Sequence, residues 1–409
     1  MITIGKPYLE QIGEKTYLKS HIKDEAQMIE TDIWYSSDIA NGGRYLTDDV
    51  ADTFLVGVLL PAMKYGEDIL VDAPVSEKLY YNITNSVLYT LSFIYGNRIS
   101  LKVREFVTPS FESNGVGCGC SLGVDSFAAM LQHFSPDCPS SYRITHLTYF
   151  NVGAMGYNNL EKAKASFEKD LLMVQAFAME IGLPVICLES NFSLLYKDFD
   201  FDESGDVRNF SAALSLQKLF SKYLYGSSFT IKDFKFDKAQ TGYYETLLAP
   251  LLSTENCEIV IANPDKTRIA KTIDIVDNPL SQKYLYVCWK ELIANKWPDS
   301  EIAKIKDKHQ NCSRCDKCKR TLLAIDLLGK LDKYEDIFDI PYWKSVKDDY
   351  IVKVVSNRNE NAFYGDLYDL MNEVGYTPSE YVKKELKMIE IRKTLPYKAM
   401  MKVKRLIKK

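Results

Sequence analysis

The sequence predicts an α/β protein in which a Rossmann-like parallel sheet with helices on both faces follows a small α+β domain and precedes a helical, basic C-terminal region. Three observations lead to this. Beyond Pro109-Ser110-Phe111, strand-like runs alternate with helix-length runs, the pattern of crossover units and a parallel sheet. The 409 residues exceed the usual span of one hydrophobic core, so two or three domains are expected. From about Lys330 the chain is polar and helical in period, with no strand pattern. The expected domains are 1–112, 113–330 and 331–409.

Within the first domain, Thr47 stands as the cap of an apolar-periodic helix from Asp48 to Met63, and Ile69-Leu70-Val71 is a short strand. A second helix is expected from about Ser76 to Phe93, and Ile99 to Phe106 alternates like a half-buried strand. In the second domain, Val116–Cys120 leads into a helix from Val124 to Gln132, and Ile144–Phe150 into one from Leu160 to Ile181. Val185–Leu188 follows, then Tyr196–Asn209, rich in Asp and aromatics and read as a loop that closes over substrate. A helix from Phe210 to Tyr223 and a strand at Ile259–Ala262 complete the series.

Composition narrows the function classes. A hydrophobic fraction of 46% with 26% charged residues is ordinary for a globular protein. No apolar run is long enough to span a bilayer, and Met1-Ile2-Thr3-Ile4-Gly5-Lys6 lacks a signal-peptide pattern, so a cytoplasmic protein is expected. The net charge of −4 conceals a basic stretch from Tyr381 to Lys409, with eleven Lys/Arg against two Glu. Such a tail suits nucleic acid or an anionic membrane surface. A solvated helix is the commoner outcome, with Leu386, Ile389, Met400, Val403 and Ile407 to dock on the protein or a partner.

The strongest chemical signal is Ser121-Leu122-Gly123-Val124-Asp125-Ser126, set between a strand and the start of a helix. Helix starts expose free N–H groups and attract anions. Gly123 permits a tight turn, Ser121 and Ser126 offer hydroxyl donors to phosphate oxygens, and Asp125 suits Mg2+ or the fixing of the loop. A Walker A loop needs a Lys before its hydroxyl residue, and none is present. A plain helix N-cap with a turn glycine is the simpler alternative.

These residues resemble the S-G-G-x-D-S signature of the PP-loop ATP pyrophosphatase superfamily, with Leu122 where the family has Gly. The resemblance implies an adenine nucleotide alpha hydrolase-like sheet. It also implies adenylation of a carboxylate or carbonyl oxygen, release of pyrophosphate, and displacement of AMP by a nitrogen or sulfur nucleophile. ATP and Mg2+ are then expected on residues 121 to 126, with Asp125 and Ser126 catalytic.

Cys312, Cys315 and Cys318 form C-x2-C-x2-C ahead of an amphipathic helix from about Lys319 to Leu328. In a reducing compartment this crowding reads as metal ligation rather than disulfides. Zn2+ prefers four tetrahedral ligands. Cys288 is the expected fourth and His309 the second candidate, with an iron–sulfur cluster and free thiols as the competing readings. Within the superfamily, the cysteine layout is similar to that of 7-cyano-7-deazaguanine synthase-like proteins. Residues 115 to 330 carry that likeness, and Val207-Arg208-Asn209 is similar to their G-R-N segment. The likeness implies basic residues facing ATP phosphates at Arg208, Arg268 and Lys271, with Lys271 catalytic; otherwise all three read as surface charges.

Cys118 and Cys120 share one strand face and read as small apolar groups rather than sulfur carriers. Glu245 reads first as a helix-start acid and second as a substrate contact. The expected activity is an ATP-dependent carbon–nitrogen ligase acting on a small molecule with a carboxylate or carbonyl, with ammonia or an amine as donor. Sulfur transfer to a tRNA nucleobase and a non-catalytic, zinc-stabilised binding module are the alternatives.

Overall fold

The computed structural model describes residues 1–154, 160–288 and 309–393, which form two compact units, Met1–Lys266 and Thr267–Lys409. The chain divides between Lys266 and Thr267, whereas the sequence reading placed boundaries near 112 and 330. Among the described residues no helix is long and apolar enough to cross a membrane.

The first unit is built on a mixed sheet of eleven strands. Five of them, β7 (Gly115–Gly119), β8 (His146–Asn151), β9 (Val185–Ser190), β10 (Phe220–Gly226) and β11 (Glu258–Ala262), run parallel in the order β11-β10-β7-β8-β9. Sequence order reverses at β7, which has β8 on one side and β10 on the other. Such a reversal opens a crevice at the carboxyl ends of the strands, where connections leave in opposite directions.

The sheet does not stop at the parallel strands. β1 (Ile2–Ile4), β2 (Tyr8–Ile12), β3 (Lys15–Asp24), β4 (Ile29–Asp38), β5 (Ile69–Ser76) and β6 (Leu101–Val107) continue it. The junction is antiparallel, with Tyr35 opposite Ser190 and Ser36 opposite Glu189. The purely parallel sheet expected from the sequence is therefore one end of a mixed one, with β11 at the edge. The pairing is legible only in three dimensions, because it joins residues about 150 apart in the chain.

Side chains fasten the junction. Asn191 accepts from the Trp34 N–H at 2.8 Å and donates to the Asp32 carbonyl at 2.9 Å. Helix α1 (Asp52–Tyr65) packs on the later helix at Gly205–Leu214, where Ser211 Oγ donates to the Thr53 carbonyl at 2.6 Å. Gly57 permits this approach, since a Cβ there would meet the Phe192 ring at 2.3 Å. One hydrophobic core runs from Ile2 to Ile259.

Helices α2 (Glu77–Asn82) and α3 (Leu88–Tyr95) are separated by a π-turn at Ile83–Val87 and cover the stretch expected as one helix. Next come α4 (Val124–Phe134), α5 (Leu160–Ile181), α6 (Gly205–Leu214) and α7 (Glu245–Leu251). Three expectations are corrected. Helix α1 begins at Asp52 with no side-chain cap, and Thr47 accepts instead from the Lys218 N–H at 3.2 Å. The helix expected at 210–223 is two elements, the end of α6 and the central strand β10. Leu216, Phe220 and Tyr223 fall at helical spacing, but the Phe/Tyr-rich segment ending at Gly226 is held between two strands, where tertiary pairing overrides period. The expected substrate loop at 196–209 is packed, with Tyr196 fully buried and donating to the Gly57 carbonyl at 2.7 Å. Residues 285–288, which lead to Cys288, have no strand structure.

The second unit contains α8 (Arg268–Ile275), α9 (Pro279–Tyr284), α10 (Asp316–Leu327), α11 (Ile340–Ser356), α12 (Ala362–Glu373) and α13 (Glu380–Lys393). Of the apolar residues noted in the basic tail, Leu386 and Ile389 lie on α13; Met400, Val403 and Ile407 lie outside the described residues.

Candidate phosphate loop and metal centre

Ser121 to Ser126 leave the carboxyl end of β7, the strand at which sheet order reverses, and enter α4. Gly123 occupies the N-cap position in extended backbone and no side chain caps the helix. The first-turn N–H groups have no partner within a helix, so a helix start of this kind suits an anion. Ser126 Oγ lies 3.2 Å from Ser121 Oγ and donates to the Gly123 carbonyl at 3.1 Å, while the Gly123 N–H donates to Ser121 Oγ at 3.3 Å. Ser121 is exposed and Ser126 largely covered.

Leu122 is fully buried and adopts φ +57°, the left-handed region. A non-glycine residue there costs about 1–2 kcal/mol. The loop thus takes a glycine-type backbone conformation without glycine, and the buried isobutyl group anchors it. Retained backbone strain of this kind collects at functional sites.

Gly226 at the end of β10 was missed by sequence reasoning. A Cβ there would lie 2.7 Å from the Asp125 carbonyl oxygen and 3.3 Å from the Ser126 nitrogen. Only glycine lets β10 approach the first turn of α4 this closely. The one sequence signal for it was a Gly closing an aromatic run.

Arg208 lies inside α6 rather than ahead of a helix and is buried. Arg268 and Lys271 belong to the second unit, on α8, whose start is capped by Thr267, which accepts from the Ala270 N–H at 3.2 Å. Lys271 is fully buried there. The Arg268 and Arg320 guanidinium groups lie over the Phe363 ring at 5.1 and 4.1 Å.

Glu245 is the first residue of α7, fully buried, and accepts from the Ser228 N–H at 2.7 Å. Asp206 beside it accepts from Tyr225 at 2.8 Å and from Thr241, and burial raises its carboxyl pKa. Cys118 is buried, and burial pushes its thiol up to about 12; the same cause raises Cys120. Neither supplies a thiolate at neutral pH.

The metal-type cluster is compact. Cys288, Cys312, Cys315 and Cys318 are all buried, with their four sulfurs within 4.8 Å of one another. Cys312 and Cys318 Sγ are 3.8 Å apart. A tetrahedral ion with metal–sulfur bonds of about 2.3 Å requires sulfur pairs about 3.8 Å apart, so the residues fit a single ion such as zinc. His309, the second candidate, is not part of the group.

The turn that shapes the cluster has Ser313 at φ +57°. It aims the Arg314 and Cys315 N–H groups at Cys312 Sγ (3.4 and 3.3 Å) and lets Cys312 N–H reach Cys288 Sγ at 3.3 Å. Cys315 caps α10, accepting from the Cys318 N–H at 3.4 Å. Asn311, given no role in the sequence reading, positions the distant ligand. Its amide accepts from the Val287 N–H at 2.9 Å and donates to the Leu285 carbonyl at 2.8 Å. The Cys312 thiol is lowered by its hydrogen bond with Cys288, whereas Cys288 is raised chiefly by Cys312 and Cys318 chiefly by burial. Four buried sulfurs cannot all ionise without a cation between them.

No family model matches the chain, and neither does any curated protein or solved structure.

Proposed function

We propose that the protein is an ATP-dependent enzyme of the PP-loop type that adenylates a carboxylate or carbonyl oxygen of a small molecule and releases pyrophosphate. One observation carries the reading: Ser121–Ser126, with Leu122 held left-handed, follows the strand at which a five-stranded parallel order reverses. In this reading the loop N–H groups and the Ser121 and Ser126 hydroxyls bind the phosphates, which stabilises the charge that develops on pyrophosphate as it leaves. Asp125 is the residue that would hold Mg2+, whose contribution is to neutralise phosphate charge. The substrate oxygen attacks the α-phosphorus, pyrophosphate departs, and ammonia or an amine then displaces AMP. The cysteine cluster is proposed to bind Zn2+ as a closed structural site, all four positions being filled by protein.

The test is pyrophosphate release from ATP with candidate carboxylates and ammonia. Asp125→Ala combined with Ser126→Ala should lower the rate at least about a hundredfold, the loss typical of removing transition-state donors. Release that persists in the double variant defeats the assignment.

A further inference from the structure

Arg208 is a cation in an unusual place. It is 3% exposed, and among the described residues no carboxylate pairs with it. Its guanidinium donates to Ser193 Oγ at 2.7 Å and lies against the Tyr196 and Phe201 rings at 4.7 and 5.6 Å. Nε is buried with no hydrogen-bond partner. The side chain is still a cation at neutral pH, since burial lowers it only to about 10. A buried charge without a counter-charge is strongly unfavourable, and structural arginines are normally paired.

The surroundings form a built slot. Gly153, at φ +116°, flanks the guanidinium so closely that a Cβ would lie 2.1 Å from Nη2 and 2.4 Å from Cζ. Gly153 is two residues beyond the carboxyl end of β8, the strand paired with β7, whose carboxyl end carries the Ser121–Ser126 loop. The two aromatic rings and the glycine backbone leave the fork little freedom. A planar guanidinium so held is preorganised for two-point recognition of an oxyanion.

We propose that the Arg208 slot is an oxyanion subsite that takes the carboxylate of the small-molecule substrate through Nε and a neighbouring Nη. The subsite stands on its own geometry; that its occupant is the molecule adenylated rests on the function proposed above. A nucleotide phosphate shares the oxyanion chemistry and is the competing source.

The test follows the arginine Nε–Hε signals of the full chain by nitrogen-resolved NMR, with the Arg208 signal assigned by its loss in Arg208→Lys. Benzoate, inorganic phosphate, pyrophosphate and Mg-ATP are titrated separately, with ATP binding measured by calorimetry on the same sample. The Arg208 signal should shift with benzoate in the presence and absence of Mg-ATP, and Arg208→Lys should weaken benzoate binding about tenfold or more. A shift with phosphate, pyrophosphate or ATP but not benzoate overturns the carboxylate assignment. Silence towards all four overturns the subsite, whether or not ATP binds. A benzoate shift without ATP binding keeps the subsite and removes the PP-loop reading. Arg208→Met gives an independent readout. Its melting temperature should rise by about 2–4 °C without anion, because an unpaired buried charge is removed, and its benzoate-dependent stabilisation should vanish. A lower melting temperature with benzoate stabilisation intact marks Arg208 as purely structural.

Discussion

The Leu122 turn and the Ser313 turn share one backbone device and put it to opposite uses. Each is a fully buried non-glycine residue at φ +57°, second in its motif. In the cysteine loop, N–H donors and sulfurs converge on one point and the chain supplies all four ligands. In the serine loop the hydroxyls bond one another and no side chain caps the helix. The first site draws all four of its sulfurs from the chain. The second exposes donors that an incoming anion can use. Under the proposed function, the contrast separates a site that would contribute folding energy from one that would spend strain on binding.

The largest effect should come from breaking the closed site. Cys315→Ser, or stripping with a strong chelator, should take bound metal from one ion per chain to none and unfold the second unit. Metal-linked folding energies are on the order of 10 kcal/mol, so proteolysis and near-ultraviolet dichroism will register the change. If the unit stays folded and the metal content was zero from the start, the four sulfurs are merely packed thiols.

Gly226→Ala tests the open loop from the β10 side. Its Cβ would lie 2.7 Å from the Asp125 carbonyl oxygen, so β10 or the first turn of α4 must shift. A loss of about 1–3 kcal/mol in denaturant unfolding is expected, together with weaker ATP binding by calorimetry. Unchanged ATP affinity would separate Gly226 from the loop's function.

Leu122 gives a sharper comparison. Leu122→Ala should cost about 2–5 kcal/mol through lost burial. Leu122→Gly should be about 1 kcal/mol less damaging, because glycine is unstrained at positive φ; in ordinary backbone the ranking is reversed. If alanine proves the more stable of the two, the turn is not left-handed in solution.

The smallest expected effect concerns Asp52, which is fully buried and accepts from the Ser76 N–H, the Ser76 hydroxyl and Gln217 Nε2. Burial raises its pKa above 3.8, so the folded chain retains a proton that the unfolded chain releases. Its contribution is therefore greatest below the unfolded value, declines as pH rises towards the folded pKa, and is level above it. Asp52→Asn should flatten that decline in urea unfolding measured across the acid range. An unaltered slope would exclude Asp52 as its source.

Local signals made much of the molecule legible. The β7–loop–α4 order and the span of α5 followed from period and glycine placement. The choice of Cys288 over His309 followed from its apolar neighbours in the sequence, Tyr286, Val287 and Trp289. Strand β10 was misread because its apolar spacing suits a helix as well as a buried strand. The first four strands received no individual assignment, and the β4–β9 pairing had no local signal at all.

The sequence by itself determined the chemistry on offer: two serines, an aspartate and a glycine at a helix start, and three thiols at metal-ligand spacing. Residue identity and short spacing decide such things within one or two turns of chain. Only the tertiary structure decided that Leu122 takes the left-handed turn, that Gly226 must be glycine, and that Arg208 is buried with no counter-charge among the described residues. Each depends on groups brought together from distant parts of the chain, where packing and desolvation, not local preference, set the outcome.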